Sequence, residues 1–261
     1  MSAGLAISYG LSVYMLFLAA FTYFVGFVGN FVVPKSIDSG EPSSLLLSIV
    51  VNIALLALFA VQHSVMARAG FKRMWTRIIP KRVERSTYVL LSTVALTMIC
   101  AFWQPMPESV WSLEGSAATA SQLIFWLGWA IVLTSTYLIN HFELFGLQQV
   151  LAAVRGKALV TTTFRTPLFY RYVRHPLYFG FLLAFWATPT MSVGHLLFAI
   201  GFTGYILLGI ALEERDLIAS FGEPYRRYRA QVGMLIPWRA RTPAPAQEKS
   251  WRPSQPEAPR A

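Results

Sequence analysis

Residues 177–212 read LYFGFLLAFWATPTMSVGHLLFAIGFTGYILLGIAL, a run without a single Asp, Glu, Lys or Arg. A helix rises 1.5 Å per residue, so this run as one rod would measure roughly 54 Å, against a hydrocarbon core of about 30 Å. It is too long for one crossing. Thr190-Met191-Ser192-Val193-Gly194 near its middle supplies a turn, which makes the run a tight helical hairpin of two short spans. Helices satisfy their own backbone polar groups inside lipid, and the alternation that a β-barrel needs is missing.

Four further apolar runs lie upstream, at residues 8–33, 45–65, 88–103 and 122–138, each near the length that crosses a bilayer as helix. Composition agrees: hydrophobic residues make up 55% and charged residues 13% of the 261 positions. That charged fraction is about half what a soluble domain carries. The 15% of aromatic residues argues against intrinsic disorder. The lone Cys100 rules out an intrachain disulfide and any cysteine-rich metal cage, and no metal site is expected. The expected fold is an all-α integral membrane protein of five to six transmembrane helices, ending in the helical hairpin and a cytoplasmic polar segment.

The net charge of +10 has a distribution that explains it. Every Lys and Arg except Lys35 falls within residues 66–86, within 155–174, or after residue 212. These are alternate connections, which must share one side. The positive-inside rule makes that side the cytoplasm and gives six crossings with both termini cytoplasmic. The basic residues are thereby accounted for without nucleic acid. The opening run lacks the basic segment of a signal peptide and exceeds its apolar length. Residues 1–238 read as a single transmembrane domain, and the Pro- and Arg-rich stretch 239–261 as a disordered cytoplasmic tail.

Polar residues at the ends of spans are costly and are the first candidates for function. His63 in Gln62-His63-Ser64, His141 in Asn140-His141-Phe142-Glu143 and His175 in Arg174-His175-Pro176 all fall at the cytoplasmic ends of spans. Three histidines at one depth point to a shared pocket, although each alone is an ordinary interfacial residue. His195, in the outer turn, keeps that ordinary reading. Pro176 suits the first turn of a helix. It leaves Arg174 and the helix N-terminus as an anion-attracting pair, or Arg174 as an anchor to lipid phosphate. Glu213 and Glu214 stand at a boundary where other charges are basic. Successive helical residues point about 100° apart, so one can face a pocket while the other faces solvent. The stretch Phe221-Gly222-Glu223-Pro224-Tyr225-Arg226-Arg227-Tyr228 reads either as a helix lying on anionic lipid or as a lid.

Arg174-His175-Pro176-Leu177-Tyr178-Phe179-Gly180, the hairpin, Glu213-Glu214-Arg215-Asp216-Leu217, Phe221-Gly222, Tyr225, Tyr228 and Leu235-Ile236-Pro237 together resemble the C-terminal region of the isoprenylcysteine carboxyl methyltransferase superfamily of membrane enzymes. Upstream, Gln62-His63-Ser64-Val65-Met66-Ala67-Arg68, Glu84-Arg85-Ser86-Thr87-Tyr88 and Asn140-His141-Phe142-Glu143-Leu144-Phe145-Gly146-Leu147 look like the bacterial methanethiol S-methyltransferases. The resemblance implies that residues from about 170 to 238 bind S-adenosylmethionine without a Rossmann domain. It implies Arg174, His175, Pro176, Tyr178, Glu213 and Glu214 as cofactor-binding residues, with Glu213 the weaker member. It also implies methylation of methanethiol to dimethyl sulfide, with a small thiol and membrane lipid as the only partners and no obligate protein partner.

Such a transfer needs a thiolate. A cysteine thiol has a pKa near 8.5 and a simple alkanethiol a higher one, so a base is useful. His141, His63 and Glu143 are the candidates, His141 first because Asn140 and Glu143 lie beside it. Other acceptors remain open: a prenylated cysteine carboxylate, a lipid amine or a larger thiol. From a different class comes a haem- or quinone-binding protein that uses His63, His141 and His175. A transporter is disfavoured, because no paired broken helices occur in corresponding halves.

Overall fold

The computed structural model describes residues 2–155 and 166–237. The expected disordered tail, 239–261, lies outside the described residues, as do Lys157 and Arg165. In chain order the elements are α1 (Ala3–Gly29), α2 (Leu45–Ala67), α3 (Ala69–Trp75), α4 (Glu84–Phe102), β1 (Ser109–Ser112), α5 (Gly115–Ile139), α6 (His141–Leu144) and α7 (Leu147–Val154). A 3-10 turn at Leu168–Arg171 leads to α8 (Pro176–Trp186), β2 (Thr190–Ser192), α9 (Val193–Phe221) and α10 (Glu223–Gln231). The protein is an all-α integral membrane protein. Helices α1, α2, α4, α5 and α9 are long and apolar enough to cross a bilayer, at 27, 23, 19, 25 and 29 residues.

The C-terminal hairpin departs from two short, matched spans. Its first arm, α8, has only 11 residues, and its second, α9, has 29. The reason is local. Pro189 disfavours helical geometry at Thr188, so α8 stops at Trp186 and the chain continues extended. An extended residue advances about 3.3 Å against 1.5 Å in a helix, so residues 187–192 complete the distance that α8 leaves. Their backbone groups stay satisfied because β2 pairs antiparallel with β1, in the α4–α5 connection. Leu113 N–H donates to Pro189 O at 2.8 Å and Val193 N–H to Glu108 O at 2.8 Å.

That pairing places the α8–α9 turn and the α4–α5 connection at one end of the bundle, and the α1–α2 connection joins them. Buried Asn52 exchanges two 2.8 Å hydrogen bonds with the backbone of Gln104, Lys35 Nζ reaches Ala101 O at 2.7 Å, and Ser192 bonds Asp38. His195 sits at this end as expected. It is buried there rather than exposed, with Nε2 2.9 Å from Phe185 O. Apart from Lys35, the described basic residues lie on the connections and helix ends at the opposite end.

An aromatic core that includes Phe24, Phe27, Trp103, Trp129, Phe185 and Phe198 fills the space between. Helices α5 and α8 touch backbone to backbone beside it. A Cβ on Gly128 would lie 2.7 Å from Gly180 O, and one on Gly180 would lie 2.7 Å from Gly128 O. Small residues allow such approach, which is a main source of attraction between helices in lipid. Gly180→Val must force α8 away, at a cost of roughly 1–3 kcal/mol or more. The detergent-solubilised variant should therefore melt several degrees below the parent, and an unchanged midpoint would show that the helices do not meet there.

Candidate functional site

The site lies at the basic end, where α1, α2, α4, α5, α6, α8 and α9 all contribute to the wall of one cavity. Helix α9 overshoots the hydrocarbon thickness at 29 residues, and its last turns carry Glu213 and Glu214 past the apolar stretch. Helix α8 begins at Pro176, as the missing N–H of proline favours. The two residues before it are held by the chain beyond α10: Arg174 N–H donates to Gly233 O at 2.8 Å and His175 N–H to Met234 O at 3.1 Å.

Between these elements opens a cavity of about 480 Å³. It runs from polar residues at the basic end to Phe24, Phe185 and Phe202 in the core. His63, His141, Arg174, His175, Tyr178 and Glu213 all line it. The structure therefore brings together six of the nine residues that the sequence singles out, the three clustered histidines among them. Glu143, Pro176 and Glu214 do not line it.

His141 is fixed by residues other than those expected. Asn140 and Glu143 bond each other (Asn140 Nδ2 to Glu143 Oε2, 2.9 Å), and Asn140 also reaches Gln148 Oε1 at 2.8 Å. Neither holds the imidazole. Asn140, at φ 149°, instead breaks the chain between α5 and α6 and turns His141 inward. The ring is held by Thr136 Oγ1, 2.9 Å from Nδ1, and by Tyr14 OH, 2.8 Å from Nε2, and it stacks on Tyr137 at 4.4 Å. The Thr136 hydroxyl spends its one proton on Leu133 O at 2.7 Å, so it accepts from Nδ1–H. That assigns the tautomer: Nε2 carries the lone pair and accepts from Tyr14. Burial holds the imidazole below its ordinary pKa, so it is neutral at pH 7.

His63 is built alike. Tyr88 OH lies 2.8 Å from Nε2, Ser92 Oγ lies 3.2 Å from Nδ1, and Phe59 stacks on the ring at 5.3 Å. Sequence reading missed Tyr14, Thr136, Tyr88 and Ser92. The four hydroxyls lie on three helices, α1, α4 and α5, and nothing in the sequence marks them as partners of the histidines.

Arg174 and Glu214 form the buried frame of the opposite wall, at 10% and 9% side-chain exposure. Arg174 Nε donates to Glu214 Oε1 at 2.7 Å. His175 Nε2 lies 3.2 Å from the same oxygen, and Arg229 Nε is ion-paired with Oε2 at 3.2 Å. Arg174 Nη1 also donates to the carbonyls of Arg229 and Val232. The anion at the start of α8 is thus the chain's own Glu214. Helix α10 packs as a cap on this frame, with Tyr225 buried. Glu213 is 45% exposed and opens to the cavity, while Glu214 faces a separate, more open hollow with Arg215 and Arg229. Among the described residues, no group of three or more His, Cys, Asp and Glu is arranged to hold a metal ion.

The chain resembles known proteins over most of its length. It is 55% identical to a methanethiol S-methyltransferase of Mycobacterium tuberculosis, over 90% of this chain and 96% of that protein. It is 53% identical to methanethiol S-methyltransferase 2 of Bradyrhizobium diazoefficiens, over 88% of each. A more distant relative is Nurim of Xenopus laevis, 30% identical over 64% of this chain and 61% of that protein. No solved structure matches the chain. Residues 51–241 match the family described as NnrU protein, and on these matches the chain belongs to the NnrU family, alongside the bacterial methanethiol S-methyltransferases.

Proposed function

We propose that this protein methylates methanethiol to dimethyl sulfide, with S-adenosylmethionine as donor, at the cytoplasmic face of a bacterial inner membrane. The observation that carries the reading is one cavity whose polar end holds a neutral histidine with an acceptor nitrogen and whose deep end is aromatic. The relatives' printed activity supports the acceptor. The basic connections support the cytoplasmic side and the cytoplasmic termini.

The donor would bring a cationic sulfonium, an amino-acid end and ribose hydroxyls, and the residues present suit them. Glu213 offers an accessible carboxylate, Tyr178 an adjoining ring and hydroxyl, and the cavity volume falls within the usual range of small-molecule sites. When bound, it supplies an electrophilic methyl, which passes to sulfur as the sulfonium–carbon bond breaks and its electron pair stays on the donor sulfur. His141 takes the thiol proton at Nε2 once the Tyr14 O–H swings off that nitrogen, whose single lone pair it holds in the resting site. The S–H bond breaks, its proton passes to Nε2 and its electron pair stays on sulfur as thiolate. His63 and Tyr88 hold a second polar pair on the facing wall. Phe24, Phe185 and Phe202 keep water from the apolar thiol. Arg174, His175, Pro176 and Glu214 hold the wall in place rather than supply chemistry.

Membranes containing the protein, given S-adenosylmethionine and methanethiol, should release dimethyl sulfide into the headspace. Heated membranes and membranes lacking the protein should release none. Absence of product from protein that binds the donor would discard methanethiol and turn attention to lipid and prenylcysteine acceptors.

A further inference from the structure

Among the described residues two cations line the cavity, Arg85 and Arg174, and they differ in one respect. The Arg174 guanidinium is committed to Glu214 and to two backbone carbonyls. Arg85 has no carboxylate within ion-pair distance among the described residues. Its Nε donates to Leu144 O at 2.9 Å, and its guanidinium carbon sits 4.9 Å above the Tyr88 ring. One edge of the fork is thus pinned and its face supported, while the Nη donors have no hydrogen-bond partner among the described residues. A pinned guanidinium in a partly buried cavity is a pre-organised receptor for a planar anion, since its fork matches a carboxylate.

Depth decides which anion. Arg85 is the second residue of α4, and Tyr88, Ser92 and Leu96 follow it inward along the same wall. At 1.5 Å per residue, Leu96 lies roughly 16 Å deeper than Arg85. A permanently charged carboxylate belongs at the mouth, and an apolar thiol belongs among the phenylalanines. Glu213 at the polar end provides the opposite charge.

We infer that Arg85 is the receptor for the methionine carboxylate of the methyl donor, with Glu213 taking its ammonium. The inference rests on the donor proposed above and adds a binding residue outside the C-terminal region.

The test compares binding of S-adenosylhomocysteine with that of S-adenosyl-3-thiopropylamine, the same molecule without its carboxylate, by calorimetry on purified full-length protein in detergent. The parent should prefer S-adenosylhomocysteine by about 10- to 100-fold, as expected for a charge-assisted hydrogen-bonded pair. Arg85→Gln should lose that preference by weakening S-adenosylhomocysteine alone, with the decarboxylated ligand unchanged within about twofold. Arg85→Lys should keep part of it. Equal weakening of both ligands in Arg85→Gln would overturn the inference. So would a parent that binds both alike, a comparison that holds even if the variants do not fold. A parent that binds neither ligand overturns the donor itself, which is a different and recognisable failure.

Discussion

Replacing His141 with glutamine should lower turnover of methanethiol by about 10²- to 10⁴-fold, the range that a positioned general base contributes. Glutamine can still bond Tyr14 and Thr136, so the bundle should hold and the melting midpoint should stay near that of the parent. Tyr14→Phe leaves the imidazole lone pair but removes its partner on Nε2, and its effect should be smaller. The pH profile carries a second signature. Burial lowers the His141 pKa, so the neutral form persists below the ordinary value near 6.5. Activity should be flat through pH 7 and fall only on the acid side of 6.5, and His141→Gln should lose that acid limb. The linked stability runs the same way. Below 6.5 the unfolded chain takes up a proton that the folded chain resists, so stability declines as pH falls through that window. Full turnover by His141→Gln near neutral pH would remove His141 as the base.

How much of this was legible beforehand depends on what kind of signal each feature leaves. Long apolar runs are periodic and collective, and the five crossing helices stand close to where hydropathy places them. The starting point of α8 was legible because Pro176 acts locally. Its early end was less so, since β2 is specified by a partner strand eighty residues upstream. The three histidines at one depth did converge on one cavity. The groups that orient them were not legible: Tyr14 reaches His141 from 127 residues away, and nothing in α1 distinguishes it from an ordinary interfacial tyrosine. Asn140 and Glu143 were misleading for the opposite reason. Adjacent polar residues at a helix end satisfy each other first, and these two build the turn that aims the imidazole.

The adjacent acids show the same limit and give the second large effect. Helical geometry says that Glu213 and Glu214 diverge by about 100°, but it does not say which one faces the cavity. In the folded chain Glu214 is the inner member of the frame, bonded by Arg174, His175 and Arg229, and Glu213 opens to the cavity. Glu214→Ala would leave Arg174 buried without its counter-ion, which costs roughly 3–5 kcal/mol when a buried pair loses one member. That frame ties α9 to the start of α8 and to α10, so the variant should be recovered poorly from membranes and melt far below the parent. Glu213→Gln removes a charge that is 45% exposed, and its stability should stay within about 0.5 kcal/mol of the parent. Its deficit should appear in donor binding, with weaker affinity for S-adenosylhomocysteine in a normally folded protein. The two variants thus separate by assay, thermal midpoint for one and ligand affinity for the other. The reverse pattern, a stable Glu214→Ala that fails only to bind donor, would mean that Glu214 holds the ligand and that its ion pair with Arg174 opens when the ligand arrives.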